Sequence, residues 1–370
     1  MMSTSEALAV QEVLQDSLSE SSPKQRYHRL KVTAVIEETH DSKSVVFSIP
    51  EGAKEQFDYL PGQFLTLKVP YEGKQLTRCY SLASSPHVDA EHKVTIKRVD
   101  GGRISNWIND AVKAGDVIEV MAPAGLFHLT HKTPPGDIVL FGGGSGITPV
   151  FSILKSALET TDRKIKLVYA NRDDQSVIFK EALKAIIAEN IDRLEVVHVL
   201  DSVHGYLTQP LVGQLVERHL GGEYFICGPG PFMDTVESAL LGLGEPKERI
   251  HTERFVSPPD PDQAEAAAEE AKAAAKGSTT TGFMVELDGE VHEIAYVKGD
   301  TLLQAMQKVD LDAPASCEEG MCGACMCMVE SGEIQLALNE VLSETELEEG
   351  WTLACQCRPL SSDVKVKFPD

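Results

Sequence analysis

Four cysteines near the C-terminus constrain the fold of this 370-residue chain more than any other feature. They follow the pattern Cys-x4-Cys-x2-Cys with a distant fourth member, and they are Cys317, Cys322, Cys325 and Cys355. This is the spacing at which thiolates hold a [2Fe–2S] cluster. Glycines at positions 320 and 323 let the backbone bend inside the loop that would wrap three of the thiolates. The pattern therefore predicts an iron–sulfur site.

A four-cysteine zinc site is the alternative interpretation of the same region. Its ligands would be Cys322, Cys325, Cys355 and Cys357. That alternative leaves Cys317 without a role. If the cluster is present, Cys327 and Cys357 are additional thiols, and we expect them to be small packing residues. Six of the eight cysteines lie in this region, and in a cytoplasmic chain such a group indicates a metal site rather than disulfides.

The charge of the chain limits its partners. There are 34 Lys and Arg residues against 57 Asp and Glu residues, a formal net charge of −23. Nucleic acids and anionic membranes bind basic surfaces, so neither is an expected partner. No run approaches the ~20 apolar residues of a membrane span, and the first residues do not have the pattern of a secretion signal. We therefore expect a soluble, cytoplasmic protein.

The pattern of apolar residues divides the chain into five parts. Residues 1–25 are polar and predict a mobile tail, with a short amphipathic helix as the alternative. Residues 26–132 hold short alternating strands broken by Gly and Pro, which indicates an antiparallel β-barrel. Residues 133–255 alternate apolar strands with helices, as a doubly wound α/β domain does. Residues 256–281, rich in Ala and Glu, predict a linker or an outer helix, and 282–370 predict a small third domain.

The third domain resembles plant-type ferredoxin domains. The likeness rests on ASCEEGMCGAC at 315–325 and on LAC at 353–355, and it implies a β-grasp fold. This domain contains 18 acidic and only 5 basic residues. Such a surface is either a solvated face or a region that steers a basic partner into contact.

The first domain contains two motifs suited to a flavin dinucleotide. The first motif is Arg78, Cys79, Tyr80 and Ser81. An arginine can pair with a diphosphate, a tyrosine ring can stack on a flavin, and a serine hydroxyl can reach its N5 edge. The second motif has a glycine turn that opens a helix and offers N–H groups to a phosphate; its residues are Lys97, Val99, Gly102, Arg103, Ile104 and Ser105. Together the motifs resemble the flavin domain of the ferredoxin–NADP reductase family, which implies FAD.

A glycine-rich turn after an apolar strand predicts a pyrophosphate site in the second domain. Its candidate residues are Gly143, Gly144, Gly146, Thr148 and Pro149. In the same reductase family Gly-x-Gly-x-x-Pro is the usual form at this place, which implies NADH or NADPH.

The next strand ends at Asn171 and Arg172, where the adenosine ribose should lie. Arg172 could hold a 2′-phosphate or stack on adenine. Asp173 and Asp174 would repel such a phosphate. NADH is therefore the preferred expectation, with NADPH as the alternative.

Two later segments carry the family resemblance further. Residues matching the nicotinamide-side loop are Cys227, Gly228, Pro229, Phe232 and Met233. Glu253 and Phe255 match the end of the domain, where a carboxylate and an aromatic ring approach the flavin. The resemblance implies catalytic roles for Tyr80, Ser81, Cys227 and Glu253. Taken alone, Cys227 would more often be a buried thiol at a strand end.

The order of flavin barrel, nucleotide domain, linker and ferredoxin resembles the reductase components of multicomponent oxygenases. The segments 168–179, 226–233 and 353–359 carry this likeness. It implies electron transfer from NAD(P)H through FAD and a [2Fe–2S] cluster to a terminal oxygenase of the Rieske non-haem iron type. That oxygenase would act on a steroid or, alternatively, on phenylacetyl-CoA or another aromatic compound. A non-catalytic redox sensor is the alternative from another functional class.

Overall fold

The computed structural model describes residues 27–71, 74–130, 136–255 and 282–369, without 316, 317, 319, 321, 322, 340 and 343. The predicted tail (1–25) and linker (256–281) lie outside the described residues, and so do the predicted cluster ligands Cys317 and Cys322. No helix within the described ranges is long and apolar enough to cross a membrane.

The first sheet consists of six antiparallel strands in the order β4-β3-β6-β1-β2-β5. The strands are β1 (His28–Thr39), β2 (Ser42–Ser48), β3 (Phe64–Tyr71), β4 (Lys74–Ser81), β5 (His92–Lys97) and β6 (Val117–Val120). A bridge between Leu82 and Val94 joins the two outer strands, so the sheet closes into a barrel. Apolar side chains such as Leu30, Leu65 and Val94 fill its interior. The predicted antiparallel barrel is confirmed.

One helix, α1 (Arg103–Ala111), packs against this barrel. Ile104 and Ile108 are four residues apart and therefore share one helix face, which is buried in the barrel core. Gly102 stands at the N-cap without a side-chain cap, which leaves the first N–H groups of the helix to other partners.

The second sheet has five parallel strands in the order β11-β10-β7-β8-β9. The strands are β7 (Ile138–Gly143), β8 (Ile165–Asn171), β9 (Leu194–Leu200), β10 (Glu223–Gly228) and β11 (Ile250–Arg254). The helices are α2 (Ile147–Thr160), α3 (Lys180–Glu189), α4 (Asp201–His204), α5 (Gln209–Val216) and α6 (Gly230–Gly242). Every residue of β7 and β8 is buried, as expected when helices cover both faces of a parallel sheet. The strand order reverses between β7 and β10, and such sheets bind ligands in the crevice at that point.

The third unit is a mixed sheet in the order β13-β12-β18-β14-β16, with a separate pair β15-β17. The strands are β12 (Gly282–Leu287), β13 (Glu290–Ala295), β14 (Met326–Ser331), β15 (Ile334–Leu336), β16 (Trp351–Leu353), β17 (Cys357–Pro359) and β18 (Lys365–Lys367). The helices are α7 (Leu302–Gln307) and α8 (Glu344–Glu348). Asp288 and Gly289 have the positive φ angles that the predicted hairpin turn requires. Thr301 and Gln304 form a capping box at the start of α7. Hairpin, helix and mixed sheet together confirm the predicted β-grasp architecture.

The barrel and the parallel-sheet unit meet through a polar contact. Ser85 Oγ lies 2.7 Å from Ser156 Oγ, and Ser152 donates a hydrogen bond to the carbonyl oxygen of Ser84. Lys155 of α2 pairs with Asp89 of the barrel. These contacts hold α2, the helix that follows β7, against the barrel.

Candidate nucleotide and iron–sulfur sites

A cavity of about 1260 Å³ lies between the barrel and the parallel sheet. On the barrel side it is lined by the residues of both predicted flavin motifs. These are Arg78, Cys79, Tyr80, Ser81, Lys97, Val99, Gly102, Arg103, Ile104 and Ser105. The structure thus brings together two motifs that are about twenty residues apart in the sequence.

The opposite wall is formed by most of the predicted nicotinamide-nucleotide residues. These are Gly143, Gly144, Thr148, Asn171, Arg172, Gly228, Pro229, Phe232 and Phe255. Both predicted sites therefore face one cavity, as transfer of a hydride between two bound groups requires.

Four predicted nucleotide-binding residues do not line the cavity: Gly146, Pro149, Cys227 and Met233. The predicted catalytic residue Glu253 does not line it either. A Cβ added at Gly146 would lie 2.1 Å from the carbonyl oxygen of Cys227, so this glycine allows the turn to pack on β10. Pro149 is buried in the first turn of α2, and Met233 is buried in the core beneath β10. Their positions give them packing roles behind the cavity wall.

The residues of the cavity fit two dinucleotides. Neither Oδ1 nor Nδ2 of the buried Asn171 side chain has a hydrogen-bond partner within the described part of the chain. Gly144 has a positive φ of 53°, and Gly143 and Gly228 approach each other too closely for side chains. Bare backbone at the end of a strand and the uncapped start of α1 are suited to phosphate groups.

Ser81, Cys227 and Glu253 form a small cluster at the junction of the two domains. Ser81 Oγ donates a hydrogen bond of 3.2 Å to Glu253 Oε2, and Cys227 pairs with Glu253 in the register of β10 and β11. Desolvation raises the pKa of the Glu253 carboxyl to about 8, although the Ser81 hydrogen bond opposes the shift. Burial, with a smaller contribution from Glu253, raises the pKa of the Cys227 thiol. At neutral pH both groups are protonated, so the cluster can hold a proton beside the flavin motif.

Several lining residues were not predicted from the sequence. Among them are Asp41, Thr95, Asp201, Tyr206 and Leu207. Each belongs to an element without a recognisable ligand motif, and only the fold carries it to the cavity. Asp41 also contacts two predicted residues, because its carboxylate pairs with Arg172 and Lys97.

Two of the four predicted cluster ligands can be located. Cys325 precedes β14 and Cys355 follows β16, and these strands are antiparallel neighbours with Met326 opposite Leu353. Ala354 N donates a 3.0 Å hydrogen bond to Cys325 O, so both cysteines lie at the same end of the strand pair. Both are buried. Two buried thiols beside a loop with positive φ angles at Gly320 and Gly323 fit a cluster site.

The two additional cysteines lie behind this end of the sheet. Cys327 and Cys357 are fully buried, and Cys357 Sγ lies 2.6 Å from Thr352 Oγ1. Burial raises the pKa of both thiols, as expected of small packing residues in an apolar core. Over the described residues, no three of the His, Cys, Asp and Glu side chains come together as a metal site.

The cluster loop approaches the flavin side of the barrel. Ala324, the residue before Cys325, packs against the buried ring of Phe64. Cys79, within the first flavin motif, packs against the same ring, and Ala124 completes this apolar contact. A residue of the predicted cluster loop and a residue of the first flavin motif therefore contact the same side chain.

Comparison with known proteins assigns each unit to a family. Residues 29–129 match an oxidoreductase FAD-binding domain, and residues 140–238 match an oxidoreductase NAD-binding domain. Residues 285–360 match a 2Fe-2S iron-sulfur cluster binding domain. The predicted cofactors FAD and [2Fe–2S], and the predicted nicotinamide nucleotide, are confirmed as those that these domains bind.

Curated relatives match this chain over nearly their whole length. The ferredoxin reductase component of 3-ketosteroid-9-alpha-monooxygenase from Rhodococcus rhodochrous is 45% identical, over 92% of this chain and 96% of its own length. That of Mycolicibacterium smegmatis is 44% identical over 92% and 97%. The chain belongs to this family of monooxygenase reductase components. A component of the 1,2-phenylacetyl-CoA epoxidase of Escherichia coli is a lower-identity relative, 34% identical over 92% and 98%.

Solved structures agree on the architecture of this family. Phthalate dioxygenase reductase matches with a TM-score of 0.55 and 24% identity, over 92% of this chain and 98% of that one. At this identity the likeness shows the fold alone. The predicted class of the chain, an oxidoreductase with these three domains, is confirmed, while the individual site residues stay predictions.

Proposed function

We propose that this chain carries electrons from NADH through FAD and a [2Fe–2S] cluster to a Rieske-type terminal oxygenase that hydroxylates a 3-ketosteroid. One observation supports the relay above all others. Ala324 of the cluster loop and Cys79 of the flavin motif pack against the same Phe64 ring. Electron transfer inside one chain needs two redox groups held close together, and this contact supplies that proximity.

The residues of the cavity have separate roles in this proposal. Arg78, Tyr80 and the start of α1 hold FAD, and the backbone at Gly143, Gly144 and Gly228 holds the nicotinamide nucleotide. When bound, the flavin accepts two electrons as a hydride and releases them singly to the cluster. The ligands of that cluster are Cys317, Cys322, Cys325 and Cys355.

The protein controls proton and water access around the reacting groups. Ser81 and Glu253 keep a proton at the carboxyl, 3.2 Å from the serine hydroxyl that faces the cavity. Cys227 is fully buried and fixes the end of β10, directly before the lining residue Gly228. We infer that Ser81, Cys227 and Glu253 position the nicotinamide, and that Glu253 can give or take the proton that accompanies hydride transfer.

The steroid assignment rests on similarity to named relatives. Components of 3-ketosteroid-9-alpha-monooxygenases are 42–45% identical to this chain, whereas the phenylacetyl-CoA epoxidase component is 34% identical. The motifs at 168–179, 226–233 and 353–359 led to the same expectation from the sequence. A reductase of an aromatic-compound oxygenase is the second candidate.

Reconstitution tests the assignment. The purified reductase is combined with NADH, a 3-ketosteroid and the purified oxygenase component of a 3-ketosteroid 9α-hydroxylase; a phenylacetyl-CoA epoxidase core serves as the comparison. We expect steroid hydroxylation coupled to NADH oxidation, and about tenfold slower support of the epoxidase. NADH-driven dye reduction without steroid hydroxylation would refute the steroid assignment alone. Failure of every nucleotide-driven reduction would refute the relay and favour a redox sensor.

A further inference from the structure

The Asp41 carboxylate is held at the edge of the cavity where the adenosine end of the nucleotide is expected. Asp41 stands in the tight turn between β1 and β2, and its side chain is only 15% exposed. Thr39 Oγ1 donates a 2.8 Å hydrogen bond to Asp41 Oδ1. The other oxygen, Oδ2, lies 2.9 Å from Arg172 Nη2 and 3.7 Å from Lys97 Nζ. The turn therefore presents a fixed anion between two cations.

The ion pair of Asp41 with Arg172 crosses the boundary between the two domains, whereas its pair with Lys97 lies within the barrel. Lys97 ends β5 of the barrel, and Arg172 follows β8 of the parallel sheet. In doubly wound nucleotide-binding sheets, the group at this strand end meets the adenosine ribose: a carboxylate binds a 2′-hydroxyl, and an arginine accepts a 2′-phosphate. The unpartnered, buried amide of Asn171 lies at the same place and is suited to a ribose hydroxyl.

The charges around Arg172 oppose a 2′-phosphate. The guanidinium is already paired with Asp41, and Asp201 lines the same cavity. Ser202 N donates a 2.9 Å hydrogen bond to the carbonyl oxygen of Arg172, which keeps the Asp201 turn beside it. The Asp173 carboxylate, by contrast, accepts hydrogen bonds from Ser176 N and Ser176 Oγ and does not line the cavity. A phosphate at this position would meet the carboxylates of Asp41 and Asp201, and like charges at a site of reduced solvent access repel.

We propose that Asp41 is a specificity-determining residue that makes this reductase select NADH over NADPH. Asp41 forms ion pairs with Arg172 and Lys97, the two cations that would otherwise bind a 2′-phosphate. The negative charge of Asp41 also repels the phosphate. The 2′-hydroxyl of NADH is uncharged, so it meets no such repulsion and is free to bond with Asn171. This inference rests on the proposed function, because it names the nucleotide that the same site accepts.

Two substitutions at Asp41 distinguish the effect of its negative charge on nucleotide selectivity from the effect of its side-chain size. Asp41→Asn removes the charge with little change in size, and Asp41→Glu keeps the charge. Glu37→Gln is the matched control, since it removes one negative charge from β1 at a side chain that is 80% exposed and pairs with Lys43 at the protein surface. The kcat/KM of each FAD- and cluster-loaded protein is measured with NADH and with NADPH, using ferricyanide as acceptor. Binding of adenosine 2′,5′-bisphosphate and of AMP is measured by calorimetry.

In Asp41→Asn, the ratio of kcat/KM for NADPH to that for NADH should rise about tenfold or more. Adenosine 2′,5′-bisphosphate should bind more tightly to this variant, and AMP should not. Asp41→Glu and Glu37→Gln should keep the ratio within about twofold of the original. An equal loss with both nucleotides would show that Asp41 only braces the two domains, and would overturn the inference.

Arg172→Gln provides a second test that leaves Asp41 in place. Because Arg172 is already paired, its loss should change the nucleotide ratio by less than about threefold. A specific fall of about tenfold in NADPH efficiency would show that Arg172 receives the 2′-phosphate despite Asp41, and would contradict the inference. If the unsubstituted protein reduces ferricyanide with neither nucleotide, the proposed function fails. An unchanged ratio in an active Asp41→Asn variant refutes the specificity role alone.

Discussion

At the scale of single residues, the most informative group is the Glu253 carboxyl. Desolvation raises its pKa to about 8, so it is protonated through most of the neutral range and becomes a carboxylate above it. Its hydrogen bond with Ser81 links this titration to the wall of the flavin cavity. A carboxyl that keeps its proton at neutral pH is suited to acid–base work next to a hydride acceptor.

We expect NADH-driven ferricyanide reduction to fall as the pH rises through about 8, because Glu253 then loses its proton and gains a charge beside Cys227. Glu253→Gln cannot titrate, so its rate should be about tenfold lower and show no inflection at that pH. The pH dependence of kcat is measured for both proteins and for the surface control Glu248→Gln. A persistent inflection near pH 8 in Glu253→Gln would assign it to another group.

Spacing and residue type were enough to select residues that the fold brings to one cavity, and the roles of these residues stay predictions. Asp41 was not predictable. It stands in a short turn after β1 without a motif, and only the pairing of β2 with β5 and the docking of the second domain bring it to Arg172. The protonated state of Glu253 likewise depends on its surroundings rather than on local sequence.

At the scale of secondary-structure elements, the turn from β7 to α2 depends on close packing against β10. A Cβ at Gly146 would lie 2.1 Å from Cys227 O, and backbone cannot yield as a flexible side chain can. By contrast, Gly213 in α5 has open space around its Cβ position. The glycine-rich turn thus has a packing requirement in addition to its predicted contact with phosphate.

Gly146→Ala should therefore destabilise the protein by about 2 kcal/mol or more and weaken NADH binding, since the turn must move away from β10. Gly213→Ala should stabilise the helix by about 0.5 kcal/mol and leave binding intact. Thermal unfolding and nucleotide titration measure both effects. Equal stability of the two variants would refute the packing requirement.

The contact between Phe64 of β3 and the cluster loop leads to a second prediction for a secondary-structure element. Phe64→Ala removes the ring that Cys79 and Ala324 share, so the cluster loop should lose its apolar contact with the flavin side of the barrel. Cytochrome c reduction, which draws on the cluster, should fall by about tenfold, while ferricyanide reduction by the flavin should stay within about twofold. Val88→Ala, an exposed position on the same barrel, is the control. Unchanged cytochrome c reduction would show that this contact does not carry the electrons.

The elements themselves followed from sequence periodicity. Alternation predicted the barrel strands, continuous apolar runs predicted the buried parallel strands, and Asp288-Gly289 predicted the hairpin turn. The contact between Phe64 and Ala324 could not be predicted, because it joins residues about 260 positions apart that no periodic pattern relates.

At the scale of the whole molecule, charge is distributed unequally. The third domain has 18 acidic and 5 basic residues, although the chain as a whole has 57 and 34. Opposite charge on a partner would accelerate encounter at low ionic strength, and added salt would screen it.

We therefore expect oxygenase-coupled turnover to fall about threefold or more as salt is raised from about 0.05 to 0.5 M. Ferricyanide reduction, which needs no protein partner, is measured in the same buffers as a control for the reductase itself. A flat profile for the coupled reaction would contradict electrostatic docking.

The order of the domains was predictable from the resemblance of each segment to a family. The way in which the domains meet was not, since it depends on polar pairs such as Ser85 with Ser156 and on an apolar contact at Phe64. The residues that make these contacts belong to no motif, so the sequence does not show which of them contact each other in the folded chain.

Passage of electrons from nucleotide to flavin to cluster within one chain is tested most directly by rapid anaerobic mixing with NADH. Flavin and cluster absorbance are followed in the unsubstituted protein, in Cys355→Ser and in the matched control Cys357→Ser. We expect flavin bleaching followed by cluster bleaching in the unsubstituted protein and in Cys357→Ser. In Cys355→Ser the flavin should still bleach, with no cluster signal. Loss of the cluster in Cys357→Ser, or cluster reduction without prior reduction of the flavin, would contradict this relay.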